Sequence, residues 1–291
     1  MKSKNEISTK IDRFNEIIVA PLDKASRKTL LRDVYKPTSP AIYLISFDTR
    51  DKEDYFRKFE HDIDATILSA NDGDQVYLSI YSPGGSAIAY ANAAQQIERL
   101  CKAGLRVTAF VNEVAASGGY MMACVCDKVV AGPMAIVGSI GVVAQVPNFV
   151  DGLGKLGVRF DIFTAGEVKR TVTPFTIADD NQKKHFEGKL VEMHDAFRKH
   201  VTDNRPQVDD AHMNGDHFLA SDTVGVLVDE LGDLQSALMA AVKRRVPIYR
   251  VQSGIRKGFS LKGLVGMDSL VDLAIDRLIA RIMEMRFTGI Q

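Results

Sequence analysis

Twice in this chain a β-forming run leads into a small residue, then paired glycines, then a helix-forming stretch. QVYLSIY (75–81) runs into Ser82-Pro83-Gly84-Gly85 and a helical pattern from Ser86 to Lys102. LRVTAFV (105–111) runs on to Ala116-Ser117-Gly118-Gly119 and a short apolar helix from about Ser117. Each cassette leaves free backbone N–H groups at a helix N-terminus, where the helix dipole favours negative charge. If the strands are neighbours in a parallel sheet, both turns fall on its carboxyl edge and their amides can converge on one oxygen, as an oxyanion hole requires.

The rest of the chain repeats the alternation, so the expected class is α/β. Further strands are expected at AIYLISF (41–47), KVVAG (128–132), IGVVAQV (140–146), VRFDIF (158–163) and VGVLVDE (224–230). Helices are expected near Asp51 to Ala70, Asp180 to Val201 and Asp233 to Lys243. Residues 1–39 read as a polar head, 40–245 as the main body, and 246–291 as a C-terminal extension. Within the extension Leu270, Leu273, Ala274, Leu278, Ile282 and Met285 recur at helical spacing.

Composition closes off several function classes. With 37 Lys+Arg against 37 Asp+Glu the formal charge is zero, which removes an overall electrostatic case for nucleic acid. The 3 cysteines, Cys101, Cys124 and Cys126, make no disulfide framework or four-ligand zinc site and read as small buried residues. Met1 to Lys36 holds only the short apolar patch Ile17-Ile18-Val19-Ala20, so no signal or anchor is expected there. The uncharged stretch Val129 to Val150 contains Pro133 and Pro147 and several glycines, and reads as buried strands and loops. Gly152-Leu153-Gly154-Lys155-Leu156-Gly157 matches G-x-G-x-x-G. A strand-like run follows it instead of a helix, so nucleotide binding is not expected.

Ser117 on its own reads as a helix N-cap. Beside a second Gly-Gly turn it becomes a candidate nucleophile, which then needs a base. Of the 6 histidines, none falls in the stretch just after Ser117, and His185, His194 and His200 flank the apolar stripe of one long helix. A histidine brought in from a distance stays open at this point. Lys169, in TAGEVKRTVTPF, is the other candidate. A lysine acts as a base only when dry, apolar surroundings bring its pKa from about 10.4 toward neutrality. Ser139, in Gly138-Ser139-Ile140-Gly141, is placed to orient such an amine. Ala115, Ala116, Met121 and Ile140 are expected to line the site and to favour small or apolar substrate side chains.

The strings YSPGGSAIAY, NEVAASGGYMMACVCDKVVAGPMAIVGSIGVVAQVPNF, TAGEVKRTVTPF and ASDTVGVLVDELG resemble the SppA/SohB signal-peptide-peptidase family of bacterial Ser-Lys peptidases, in its SohB-like branch. The resemblance runs from about residue 40 to about 245. It implies a ClpP/crotonase-type spiral of ββα units. It also implies Ser117 as nucleophile, Lys169 as general base, Ser139 as support for the lysine, and the Gly85 and Gly118 amides as the oxyanion hole, with Gly84 as a further neighbour. By the same resemblance no cofactor or metal is needed. Peptides or unfolded polypeptides, cleared signal peptides among them, are the substrates, and copies assemble into a ring or dome that completes each site. Association with the bacterial inner membrane and a periplasmic site are implied as well, with the cytoplasm as the alternative. Two other readings stand beside this one: a Clp-like or crotonase-like enzyme with a different base, and a catalytically silent peptide-binding scaffold.

Overall fold

The computed structural model describes residues 40–251, apart from 52, 53, 167 and 170. Its main sheet has six strands in the order β8-β5-β3-β2-β1-β9, every pair parallel. They are β1 (Ile42–Asp48), β2 (Gln75–Tyr81), β3 (Arg106–Val111), β5 (Lys128–Ala131), β8 (Glu230–Leu231) and β9 (Ile248–Arg250). A parallel sheet is covered on both faces, so its strands read as nearly continuous apolar runs. In β1, Tyr43, Ile45 and Phe47 join the larger core while Ile42 and Leu44 point into a smaller one on the opposite face.

Two helices close the larger face. Helix α1 (Tyr55–Ser69) starts where the Asp54 carboxylate accepts the Arg57 amide, which satisfies one of the free donors of a helix start. Helix α2 (Ala87–Lys102) buries Tyr90, Ala93, Ala94, Ile97 and Leu100, one stripe at helical spacing. The smaller face is covered by Leu234 and Ala241 of α6 (Leu234–Lys243), whose cap is Asp233.

A second sheet holds β4 (Val114–Ala116), β6 (Ile136–Gly138) and β7 (His217–Leu219), with β4 parallel and β7 antiparallel to β6. Helix α3 (Gly118–Ala123) follows β4, α4 is Val150–Lys155, and α5 is Asp180–Asn204. All six residues of α3 are buried. At its far end Arg205, the C-cap of α5, donates to the Cys124 and Cys126 carbonyls and pairs with both oxygens of Asp229 at 2.8 and 2.7 Å.

Several expectations need correction. The runs 140–146 and 158–163 form no strand; they lie largely exposed, with Val143 at 82% and Phe163 at 93% exposure. Their residues have the composition of strands but no ladder to join. The run 224–230 is mostly turn and supplies only the first residue of β8. Gly152 and Gly154 sit inside α4, preceded by irregular chain, so the context for a dinucleotide turn is absent on that side too. Strand β9, within the range read as the C-terminal extension, pairs with β1. The helical pattern between Met267 and Arg286 lies outside the described residues, as does the head at 1–39. No described helix is long and apolar enough to cross a membrane.

Candidate active site

The strands of the two cassettes, β2 and β3, are indeed parallel neighbours. Their turns meet by a less direct route than the pattern suggests. After β3 the chain leaves the main sheet and β4 docks on the end of β2: the Ser82 amide donates to Val114 O at 2.9 Å, and the Ala116 amide to Ser82 O at 3.0 Å. Ser117 therefore stands at the end of β4, and its own amide donates to Gly138 O at 2.8 Å.

Ser117 adopts φ 52° and ψ −120°, a region that a residue with a Cβ occupies only when its surroundings enforce it. This is a sharp strand-to-helix turn of the kind that lifts a nucleophile clear of its sheet. Although Ser117 occupies the N-cap position of α3, its side chain makes no capping bond. The N-cap reading of this serine is thereby removed, and its half-buried hydroxyl is not used to hold the helix.

Gly84 lies against it. A Cβ on Gly84 would come within 2.6 Å of Ser117 Cβ and 3.0 Å of both Ser117 Oγ and Gly118 N, and Gly84 has φ +102°. Only glycine fits both the space and the conformation. Gly118 is tighter still, since a Cβ there would meet the Tyr90 ring at 2.3 Å. The Gly84 amide is already used, donating to Ser82 Oγ at 3.1 Å. The Gly85 and Gly118 amides have no protein acceptor among the described residues. The Gly118 N–H directly follows Ser117 and the Gly85 N–H directly follows the glycine packed on it, so both are candidates to receive the charge of an oxyanion.

Ser139 is brought close through the backbone, directly after Gly138, and also has a positive φ of 52°. Its amide donates to Asp216 O at 2.7 Å, and its hydroxyl reaches Gly215 O at 3.4 Å. Lys169 is not brought in. It stands exposed in the loop after 158–163, its amide donating to Gly166 O at 3.3 Å, and among the described residues no hydrogen bond joins it to Ser117 or Ser139. Two of the three histidines of α5 are engaged elsewhere. His194 Nε2 donates to Ile140 O and Met213 O, and His200 Nε2 donates to Met121 O. Of the residues expected to line the site, Ala115 and Ile140 are fully buried and Ala116 and Met121 nearly so; Ala115, Met121 and Ile140 belong to the larger core.

Sequence reasoning missed Tyr90 and Ser82. The Tyr90 hydroxyl donates to Gly84 O at 3.1 Å and lies 2.5 Å from Ser82 Oγ. Burial pushes the Tyr90 phenol up while the contact with Ser82 pulls it down. The available signal was a tyrosine on the buried stripe of α2, whose hydroxyl must find a partner near the turn that precedes it. Among the described residues no group of three or more His, Cys, Asp or Glu is placed to hold a metal ion.

The family model described as Peptidase family S49 matches residues 99–246. A probable protease SohB of Haemophilus influenzae is 40% identical over 203 residues, covering 68% of this chain and 58% of that protein. Another, of Buchnera aphidicola subsp. Schlechtendalia chinensis, is 33% identical over 213 residues, covering 72% of this chain and 70% of the relative. The chain belongs to peptidase family S49. The stretch matched by the S49 model contains Ser117, Gly118, Ser139 and Lys169, while the Gly84-Gly85 turn precedes it. A membrane-bound stomatin-specific protease with a substrate peptide aligns at a TM-score of 0.42 and 10% identity, covering 76% of this chain and 95% of that one.

Proposed function

We propose that this chain is a serine endopeptidase in which Ser117 is the nucleophile and Lys169 the general base. One observation carries the reading: Ser117 is held at φ 52° with its hydroxyl unused by the helix it precedes and Gly84 packed against it. Membership of the S49 family supports the same chemistry.

Lys169 as the free amine takes the Ser117 proton, and the alkoxide attacks the scissile carbonyl carbon. The carbonyl oxygen becomes an oxyanion, received by the Gly85 and Gly118 N–H groups. The lysinium returns its proton to the leaving amine. Water, deprotonated by the same lysine, then releases the acyl group and restores the serine. Ser139 holds the amine in line.

Lys169 reaches Ser117 in the assembled protein. The segment that carries it exposes Val143, Phe163, Val168 and Ile177, apolar side chains that a neighbouring copy could cover. A second copy covering this segment orders the lysine loop at the serine, and a ring or dome of copies completes each site. Peptides and unfolded polypeptides are the substrates, cleared signal peptides among them, and the enzyme works at the bacterial inner membrane.

The test is casein hydrolysis by the wild type, Ser117→Ala and Lys169→Ala, each separated by size. An active oligomer with both variants inert is expected. A Lys169→Ala protein that still cuts overturns the dyad, an inert wild type overturns the peptidase reading, and an active monomer overturns the assembly requirement.

A further inference from the structure

The Ser82-Pro83-Gly84-Gly85 turn is tied to α2 by a closed ring of hydrogen bonds whose direction can be worked out. The Gly84 carbonyl can only accept, so the Tyr90 hydroxyl spends its one proton there, at 3.1 Å. The contact between Tyr90 Oη and Ser82 Oγ, 2.5 Å long, must then be donated by Ser82. Ser82 Oγ in turn accepts the Gly84 amide at 3.1 Å. Every proton in the ring has one place to go, and Ser82 and Tyr90 are 0% and 1% exposed, so water offers no competing partner.

The Gly84 carbonyl and the Gly85 N–H belong to one peptide unit. The described residues contain no cis peptide, and in a planar trans unit these two groups point in opposite directions. Fixing the carbonyl on Tyr90 therefore fixes the Gly85 N–H on the side away from Tyr90. Without that anchor, a turn made of two glycines has little to stop the unit rotating, because neither carries a Cβ. The same ring also touches the other donor: Tyr90 is what a Cβ on Gly118 would strike, and Tyr90 Cε2 lies 3.1 Å from the Cβ position of Gly85. Phe47 and Phe56 hold the ring edge-on at 5.9 and 5.1 Å between centroids.

We infer that Tyr90, with Ser82, is a positioning residue that locks the Gly84–Gly85 peptide in the orientation aiming the Gly85 N–H at the oxyanion. This rests on the peptidase reading given above and adds to it the part that keeps the hole preformed. Tyr90 touches neither substrate nor reacting atoms; it acts through a peptide plane.

Tyr90→Phe removes one oxygen and keeps the ring, and Ser82→Ala breaks the same circuit from the other side. Both are measured as full-length protein on a fluorogenic peptide that the wild type cleaves, and against an aldehyde of the same peptide, whose hemiacetal oxygen uses the same donors. Losing an oxyanion donor outright costs about 10²- to 10³-fold in kcat. A mis-aimed one is expected to lower kcat about 10- to 100-fold, with KM changed by less than about twofold and aldehyde affinity falling in parallel. Wild-type kcat in both variants overturns the inference. So does a loss that tracks the fraction of unfolded protein and spares aldehyde affinity per folded molecule.

A second arm does not depend on turnover. In 15N-glycine-labelled Ser117→Ala protein, adding Tyr90→Phe is expected to shift the Gly84 and Gly85 amides and to speed hydrogen exchange of the Gly84 amide, which bonds within the ring. Unchanged amides refute the lock even if the wild type proves inert. Changed amides in an inert protein refute the peptidase reading and leave the lock standing.

Discussion

Replacing Arg205 by methionine should destabilise the body of this protein while leaving the turn at Ser117 chemically intact. The guanidinium has 6% of its side chain exposed, and Asp229 has 31%. Arg205 makes two bonds to Asp229 and one each to the Cys124 and Cys126 carbonyls, just past the end of α3. Methionine fills much of the volume but leaves both carbonyls and the carboxylate short of donors. Asp229 keeps the Val129 amide at 2.6 Å as a remaining partner. Removing one member of a fully buried pair costs about 3–5 kcal/mol. With Asp229 partly in water the lower end applies, about 3 kcal/mol. For a domain of this size that is a fall in Tm of about 6–12 °C. Urea and thermal unfolding followed by circular dichroism measure it. Because most of the penalty is an uncompensated carboxylate, Arg205→Met/Asp229→Asn should recover about 1–2 kcal/mol, since asparagine still accepts from Val129 and carries no charge. A single variant within 2 °C of wild type, or a double variant below the single one, would refute the reasoning.

Two more perturbations read the same body. Burial pushes the Cys124 thiol up to about 12 and the half-buried Cys101 thiol up to about 11, so at pH 8 about one Cys101 in a thousand is thiolate. Native protein should react with a disulfide reagent orders of magnitude more slowly than urea-unfolded protein, and a rapidly titrating native thiol would contradict the burial. The Asp48 carboxyl is held below its ordinary value mainly by the Arg50 guanidinium. A depressed folded pKa stabilises above the unfolded value of 3.8 and is lost as pH falls through the lower folded one. Between pH 6 and 3 the unfolding midpoint of the wild type should therefore fall more than that of Asp48→Asn; parallel curves would remove Asp48 from the linkage.

Much of this structure can be read from the residues, and its gaps have physical causes. Strands β1, β2, β3 and β5 and helices α1, α2, α5 and α6 announce themselves because each is long enough, or apolar enough, to show its period. Strands β4, β6 and β7 have three residues apiece, too few for any period, so the step that carries Ser117 off the main sheet is invisible in sequence. The runs at 140–146 and 158–163 misled for the opposite reason: their β-branched and aromatic residues were visible, but a strand also needs a neighbour to bond. At the site, the paired glycines pointed to Gly84, Gly85, Ser117 and Gly118 because close backbone approach leaves a compositional mark. Tyr90 leaves none. On a buried helical stripe its ring looks like core, and the direction of its hydroxyl depends on a turn that only the folded chain positions.

Helix α3 has no side chain facing water: Gly118 to Ala123 are all buried. Under the chemistry proposed above, the same six residues that fill the interior also set the turn that aims Ser117. A substitution in α3 that improved packing would also tilt the turn at Ser117, and one that adjusted the turn would open or crowd the interior. Random mutagenesis scored separately for folding and for cleavage should therefore find α3 almost devoid of variants that pass one screen and fail the other, whereas the exposed segment around Phe163 should tolerate change in folding freely.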